Sequence, residues 1–385
     1  MSADEIIAWL LSPAEGTMTV EMLFEGLGAQ LAAAGVAIFR ASASAPTLHP
    51  ELYVRNVTWT EGAGYAIAER EQSIVTTPFY LGSPPARIHA GEDEIRCKLE
   101  GAPADLPFSV CRDIQAMGGT DYLALLLPFR DGRRTFVSWS TRRPGGFRDE
   151  DLAVLRAIVP ALSLRLELAS TELAMRSLLE VYLGHNAARR VLAGAFRRGG
   201  GETIRAAVWT CDLRGFTSMA DTRPASEVVA TLDRYFETVC APIGAGGGEV
   251  LKFVGDAVLA IFPSGDDEPA ACRRALAAAK SAIEGLRRWN AERAGAPPIQ
   301  VGIGLHVGDV TYGNIGAQRR LDFTVIGAAV NEVCRIEPLC KELGRALLVS
   351  DVFAARIPCG DLVSLGARSL RGVAEPAVIF GVEGY

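Results

Sequence analysis

Segments of strand-like and helix-like periodicity alternate between residues 205 and 385, and this alternation constrains the fold more than any other feature of the sequence. Runs rich in Val, Ile and aromatic residues predict strands, and runs with apolar residues three or four positions apart predict helices. The predicted strands are 205–212, 249–254, 257–262, 300–306, 309–314, 322–325, 362–365 and 378–382, and the predicted helices are 226–239, 270–289 and 328–343. This order predicts an α+β domain in which helices pack on a sheet.

The first 148 residues predict a second, smaller domain. Two helices within residues 3–35 are followed by strand-like runs, and Asp131-Gly132 marks a hairpin turn. The predicted strands here are 35–40, 52–59, 122–129 and 135–141. A sheet with flanking helices in a segment of this length is typical of small α/β sensor modules such as GAF and PAS domains. We therefore predict a regulatory domain over residues 1–148, which receives an unknown small-molecule or protein input.

Residues 149–198 have a helical pattern and are predicted to connect the two domains. An imperfect heptad repeat of apolar residues runs through Leu155, Val159, Leu162, Leu166 and Leu173. This repeat leaves two possibilities open, a short parallel coiled coil or a helix packed on its own domain. The basic, glycine-rich run at 197–201 ends the helical pattern, so the second domain is predicted at 199–385.

Composition and charge exclude several classes of protein. The chain has 385 residues with 49% hydrophobic and 22% charged residues, which is typical of a globular protein and not of a disordered or fibrous one. The net charge of −6 argues against nucleic acid as the main partner. The eight cysteines form no CxxC pair, and neither a signal peptide nor a membrane-spanning run is evident, so we expect a cytoplasmic protein.

Two carboxylates lie where predicted strands end, Asp212 in CDLRGFTSM and Asp256 in EVLKFVGDAVLAIF. Strand ends place side chains at the edge of a sheet, and carboxylates without nearby histidines suit hard cations such as Mg²⁺. The Gly-containing turn at 213–217 leads into a helix and exposes backbone N–H groups that suit phosphate. Together these features indicate a metal-bound polyphosphate. Taken singly, Asp212 could cap the next helix and Asp256 could fill a turn.

Three sequence blocks resemble the signatures of the class III nucleotidyl cyclases, the adenylate and guanylate cyclases. These blocks are DLRGFTSM, GGEVLKFVGDAVLAIFP and FTVIGAAVNEVCRIE, and the resemblance extends over essentially all of residues 205–385. It implies a ferredoxin-like catalytic domain. It also implies that Asp212, Asp256 and the carbonyl of Leu213 hold two metal ions, Mg²⁺ or Mn²⁺, which activate the ribose 3′-hydroxyl and neutralise the triphosphate.

The resemblance also implies how the rest of the substrate is bound. Gly215, Phe216 and Thr217 would contact phosphate. Asn331 and Arg335, spaced i and i+4 on one helix face, would position the ribose and stabilise charge on the α-phosphate.

The residues that would read the base are Lys252 and Thr324. By this resemblance, Lys252 matches the position at which adenylate cyclases carry a lysine that donates to adenine N1. Because lysine has only hydrogen-bond donors, ATP fits better than GTP. A Lys–Thr pair is similar to the class IIIb cyclases, in which some members respond to bicarbonate. Arg371, in SLRG, occupies the position of a basic residue that contacts the terminal phosphates, with Arg368 as the competing candidate.

The predicted function is therefore that of an adenylate cyclase, a phosphorus–oxygen lyase that converts ATP to 3′,5′-cyclic AMP and pyrophosphate in signal transduction. In this family the metal-binding and base-binding residues of one site come from different subunits, and one chain here carries both sets. This implies a homodimer with two shared sites. The alternatives are a non-catalytic nucleotide-binding regulator with a cyclase fold, and a cyclase that uses another nucleotide such as GTP.

Overall fold

The protein consists of two compact units, residues 1–178 and 179–385. The computed structural model describes residues 2–12, 19–46, 52–194, 199–293, 295–317, 319–357, 360–371 and 376–385. Each unit combines one β-sheet with several helices, so the predicted α+β class is confirmed. None of the described helices is both long and apolar enough to cross a membrane.

The described part of the first unit is built on a six-stranded sheet in which all neighbouring strands are antiparallel. Its strands are β1 (Arg40–Pro46), β2 (Leu52–Thr60), β3 (Gly64–Glu71), β4 (Glu94–Lys98), β5 (Asp121–Pro128) and β6 (Arg134–Thr141), in the spatial order β3-β2-β1-β6-β5-β4. Its helices are α1 (Ala3–Leu11), α2 (Val20–Ala33), α3 (Pro78–Leu81), α4 (Pro84–His89), α5 (Ser109–Ala116), α6 (Asp149–Ala157) and the first part of α7 (Val159–Leu183).

Helices pack on both faces of this sheet. Successive residues of a strand point to opposite sides, so one strand can contribute side chains to two cores. On β5, Leu123 and Leu125 pack in a core with α1, α2, α6 and α7, whereas Tyr122 and Ala124 pack in a second core with α4 and α5. The central strands of the sheet therefore lie between two layers of helices, whereas the edge strand β3 is largely exposed.

The predicted connector is divided into three helices, α6, α7 and α8 (His185–Leu192). Leu155, Leu162 and Leu166 of the predicted heptad repeat are buried in the core of the first unit. From Leu155 to Leu166 the apolar repeat therefore reflects packing of the helices on their own domain. This is one of the two possibilities that the sequence left open. The helical pattern was expected to end at the run 197–201, of which residues 197 and 198 lie outside the described residues.

The second unit contains an eight-stranded sheet in its described part. Its strands are β7 (Gly201–Leu213), β8 (Glu249–Val254), β9 (Ala257–Pro263), β10 (Val301–Ala317), β11 (Arg320–Ile326), β12 (Leu347–Ser350), β13 (Leu362–Arg368) and β14 (Ala377–Val382). Their spatial order is β13-β14-β12-β10-β7-β9-β8, with β11 paired to β10, and only the pairing of β10 with β12 is parallel. The helices that follow α8 are α9 (Phe216–Thr222), α10 (Ala225–Ala245), α11 (Glu268–Glu292), α12 (Ala328–Ile336), α13 (Leu339–Glu342) and α14 (Asp351–Ala354).

The long pairing of β7 with β10 organises this unit. Residues with odd numbers on both strands, such as Trp209 and Ile303, point into the core that contains α10 and α11. Residues with even numbers point to the opposite face, where α12 lies. The segments 300–306 and 309–314, expected to be two strands, form one continuous strand because β7 pairs with β10 from Val301 to Gly313.

Candidate active site

Asp212 and Asp256 come together at one end of the β7–β9 pair. Asp212 is the last residue but one of β7, and Asp256 follows Gly255 in the turn between β8 and β9. Gly255 has φ +65°, a left-handed conformation that glycine adopts without strain. The two carboxyl groups are within hydrogen-bonding reach of each other, and Oδ1 of Asp212 accepts a hydrogen bond from the N–H of Leu213 at 3.1 Å.

This carboxylate pair has the electrostatics of a cation site. Partial burial and, next, the like charge of Asp256 raise the pKa of Asp212 to about 6. None of the ion pairs formed by the described residues includes either carboxylate. Two hard oxygen donors that repel each other fit a divalent cation such as Mg²⁺ or Mn²⁺, which would relieve the repulsion. The donor set predicted from sequence thus fits the metal.

The turn that follows Asp212 has the conformation expected from its glycine. Gly215 has φ +76° and precedes the seven-residue helix α9, which begins at Phe216 and includes Thr217. Leu213 is 4% exposed, with its side chain in the core. The roles predicted for the Leu213 carbonyl and for the backbone N–H groups of Gly215, Phe216 and Thr217 remain predictions.

Lys252 lies on β8 and Thr324 lies on β11, two strands that contact each other without pairing in the sheet. The Lys252 ammonium donates to Oδ2 of Asp322 at 2.8 Å, and Asp322 precedes Thr324 by two residues, so both side chains leave β11 on one face. Thr324 is 3% exposed, and its hydroxyl has no hydrogen-bond partner among the described residues. A buried hydroxyl without a partner is unusual and fits a site whose ligand completes its hydrogen bonding.

Asp322 is a residue that the sequence analysis missed. The signal that points to it is its position two residues before Thr324 on a strand, which places it on the same face. Its carboxylate fixes one of the three donors of Lys252 and leaves the others free.

Asn331 and Arg335 lie on α12, one turn apart. Asn331 is exposed and Arg335 is partly exposed. The hydrogen bonds and ion pairs of the described residues do not connect Asn331 or Arg335 with Asp212, Asp256 or Lys252. Among the described residues, three groups are thus not linked by hydrogen bonds or ion pairs: the carboxylate pair, the Lys252–Asp322–Thr324 group and the α12 pair.

Arg371 is exposed and lies after β13, next to residues 372–375, which are outside the described part. The competing candidate, Arg368, is also exposed and donates to the carbonyl of Leu365 at 3.3 Å. This hydrogen bond holds the Arg368 side chain against its own strand. The assignment of Arg371 as the phosphate contact remains a prediction.

Glu337, just after α12, is a second residue that the sequence analysis missed. Burial raises the pKa of its carboxyl to about 7, with Asp212 and Asp256 adding to the rise and Arg214 opposing it. The nearest signal in the sequence is the block FTVIGAAVNEVCRIE, in which Glu337 is the last residue and follows Arg335 by two positions.

The comparisons with known proteins include a family match within the second unit. Residues 203–351 match the family model described as "Adenylate and Guanylate cyclase catalytic domain". An adenylate cyclase of Anabaena cylindrica is 36% identical over 173 residues, which cover 43% of this chain and 34% of that protein. An uncharacterized protein of Mycobacterium tuberculosis is 38% identical over 172 residues, which cover 43% of this chain and 31% of that protein. The chain thus spans about a third of the length of these curated relatives.

The solved structure of a bacterial light-regulated adenylyl cyclase is similar with a TM-score of 0.51 and 20% identity, and it covers 67% of this chain and 84% of that chain. At this identity the likeness concerns the fold alone. The resemblance to an adenylate/guanylate cyclase catalytic domain therefore concerns residues 203–351.

Proposed function

We propose that this chain, whose residues 203–351 match the adenylate/guanylate cyclase catalytic domain, is an adenylate cyclase that converts ATP to 3′,5′-cyclic AMP and pyrophosphate. The observation that carries the choice of ATP is the base-reading group. Lys252 can only donate, which suits the acceptor N1 of adenine, and the unpartnered hydroxyl of Thr324 can accept from the adenine amino group. Guanine presents a donor at N1, which Lys252 would repel.

In the proposed reaction the ribose 3′-oxygen forms a bond to the α-phosphorus. The bond from the α-phosphorus to the oxygen that bridges to the β-phosphate breaks, pyrophosphate leaves with the electron pair, and the 3′-hydroxyl proton passes to solvent. Asp212, Asp256 and the Leu213 carbonyl would hold two Mg²⁺ or Mn²⁺ ions, which when bound lower the pKa of the 3′-hydroxyl and offset the triphosphate charge. Asn331 orients the ribose, and Arg335 stabilises charge that develops on the α-phosphate.

The test is to incubate the purified full chain separately with ATP, GTP, CTP and UTP in the presence of Mn²⁺ or Mg²⁺ and to identify any cyclic product by mass. We expect 3′,5′-cyclic AMP from ATP and little product from the other three. A dominant cyclic GMP product would establish a guanylate cyclase instead. Nucleotide binding without any product would favour the non-catalytic regulator.

The active unit is proposed to be a homodimer with two sites, each made from both chains. Among the described residues, no hydrogen bond or ion pair joins the carboxylate pair to Asn331 or Arg335, and this supports the arrangement. Asp212→Ala and Arg335→Ala proteins should each be inactive. After mixing they should recover roughly a quarter of wild-type activity, because half of the dimers pair the two variants and hold one intact site. Inactive mixtures that contain heterodimers would contradict the shared site.

The first unit is proposed to act as a GAF- or PAS-like sensor over residues 1–148 that regulates turnover. The cores on the two faces of its sheet are formed by residues that lie outside the matched range 203–351, which supports an independent role. Removing residues 1–148 should change basal turnover several-fold, as measured by cyclic AMP formed per active chain. Unchanged turnover would reduce this unit to a passive attachment. With no membrane-spanning helix among the described residues, we propose a cytoplasmic location.

A further inference from the structure

The glycines of GIGLHVG on β10 allow α12 to approach the sheet very closely. A Cβ atom built on Gly304 would lie 3.0 Å from the backbone nitrogen of Glu337. A Cβ atom built on Gly302 would lie 2.4 Å from Oε1 of Glu337 and 3.4 Å from its Cδ. The Glu337 carboxylate thus occupies the space that any other residue at position 302 would fill.

The register of the sheet places this carboxylate beside the cation site. Gly302 is directly opposite Asp212 in the antiparallel pair of β10 and β7. Residues in such opposite positions point to the same face, with their Cβ positions about 5 Å apart. The Glu337 carboxylate touches the Cβ position of Gly302. It therefore lies on the same face of the sheet as the Asp212 side chain, over the neighbouring strand.

Within the described part of the chain, no cation forms an ion pair with Glu337. Arg214, the positive group that acts on it electrostatically, donates instead to the backbone carbonyl of Arg345. A partly buried carboxylate beside two others, without a cation of its own, adds to the negative field at this end of β7.

We propose that Glu337 is a positioning residue of the cation site formed by Asp212 and Asp256, and that its carboxylate accepts hydrogen bonds from water bound to the cation. The inference rests on the proposed function, because it concerns the same cation site. No three His, Cys, Asp or Glu side chains within the described ranges are close enough together to hold a metal directly, so Glu337 acts through water and not as a direct ligand. Mg²⁺ and Mn²⁺ commonly keep several waters, and groups that hold such waters tune the affinity of the site.

The experiment is to titrate the full-length protein with Mn²⁺ without nucleotide and to follow free Mn²⁺ by electron paramagnetic resonance. Glu337→Gln keeps the shape of the side chain and removes its charge, and we expect it to weaken Mn²⁺ binding by about 10-fold or more. Glu337→Asp, which keeps the charge, should recover most of the affinity. Glu332→Gln is the matched control, because Glu332 lies on α12, five residues before Glu337, but faces His306 at 3.6 Å. It should change Mn²⁺ affinity by less than about twofold.

Kinetics provide the second readout. Glu337→Gln should raise the Mn²⁺ concentration needed for half-maximal activity, whereas the KM for ATP at saturating Mn²⁺ should change little. Equal effects of Glu337→Gln and Glu332→Gln on Mn²⁺ affinity, or none from Glu337→Gln, would overturn the role of Glu337.

Asp212→Asn separates this inference from the proposed function. If Asp212→Asn weakens Mn²⁺ binding and Glu337→Gln does not, only the inference fails. If Asp212→Asn also leaves Mn²⁺ binding unchanged, the cation site is wrong and the role of Glu337 is wrong with it. If both variants weaken Mn²⁺ binding but the wild type makes no cyclic nucleotide, the inference stands and the proposed function fails.

Discussion

Each unit of the protein places one carboxylate near the end of a sheet strand, and the two have opposite surroundings. Asp121, at the start of β5, is fully buried and accepts from Arg96 at 2.7 Å, from the N–H of Phe147 at 3.0 Å, and from Lys98 at 3.1 Å. Asp212, at the end of β7, is only half-buried and faces the carboxylate of Asp256.

The difference separates a structural charge from a functional one. Burying a charge is unfavourable unless partners compensate for it, and the chain itself supplies every partner of Asp121. At Asp212 the chain supplies a second negative charge, so compensation has to come from a ligand. Burial alone therefore does not distinguish the two roles. The sign of the neighbouring charges does.

The largest expected difference between the two carboxylates is in catalysis. Asp212→Asn should lower cyclic AMP formation by at least about 100-fold, because it removes one of the two side chains proposed to hold the cations. Turnover measured at saturating ATP and Mn²⁺ is the test. Asp266→Asn, which removes an exposed carboxylate from a loop of the same unit, is the control and should leave turnover nearly unchanged. Comparable loss in both variants would mean that general charge, and not the site, is responsible.

The second difference is in stability, where Asp121 should dominate. Asp121→Asn leaves Arg96 and Lys98 without their shared partner and should lower the free energy of unfolding by about 3 kcal/mol. Urea unfolding followed by tryptophan fluorescence measures this change. Asp93→Asn is the matched control, since Asp93 pairs with Arg134 at a side-chain exposure of 75%, and such exposed pairs contribute under about 1 kcal/mol. Equal losses in the two variants would remove the distinction between buried and exposed pairs.

The third expectation is that removing the charge of Asp212 raises stability, whereas removing that of Asp121 lowers it. Because the pKa of Asp212 is raised to about 6, the folded protein binds more protons than the unfolded chain between the ordinary pKa of 3.8 and pH 6. Stability attributable to Asp212 therefore falls as pH rises through this window. Asp212→Asn should be more stable than wild type at pH 7.5 and nearly equal to it at pH 4, in buffers without divalent cations. Urea unfolding at the two pH values tests this, and an Asn variant that is less stable at pH 7.5 would contradict it.

The smallest effect is expected at the exposed pair Lys252–Asp322. Asp322→Asn should change the free energy of unfolding by less than about 1 kcal/mol, because exposed ion pairs are weak. It should nevertheless raise the KM for ATP, since Lys252 would lose the contact that orients it. Steady-state kinetics with ATP and GTP measure this. An unchanged KM would mean that Asp322 and Lys252 are merely neighbours.

The strand-end positions of Asp212 and Asp256 were predictable because hydrophobic runs stop immediately before turn residues, and the same pattern located most strands of the second unit. The pairing of Asp121 with Arg96 was not predictable, since 25 residues separate them and only the β4–β5 pairing joins them. The position of Glu337 was not predictable for the same reason, because its place beside Asp212 depends on the register of β7 with β10.

The first strand shows how tertiary contacts can override local pattern. Val36 and Ile38 alternate as a strand would and are buried, yet pairing begins at Arg40 and continues to Pro46. The serines of β1 gave no strong strand signal, but Ser42 and Ser44 donate to the carbonyl of Val57 and to Asn56. These partners satisfy polar groups that the sequence alone would place in a loop.

The pairing of β7 with β10 also has a kinetic consequence. Asp212 and Gly302 are joined only after three helices and a hairpin have been accommodated between them, so the second unit has a high contact order and should fold slowly compared with a helical protein of its size. A nascent chain that ends before β10 has only β9 as a partner strand for β7 and lacks Glu337. The cation site is therefore assembled late in synthesis, and a shortened chain would keep both aspartates of the pair without the surface that holds them in place.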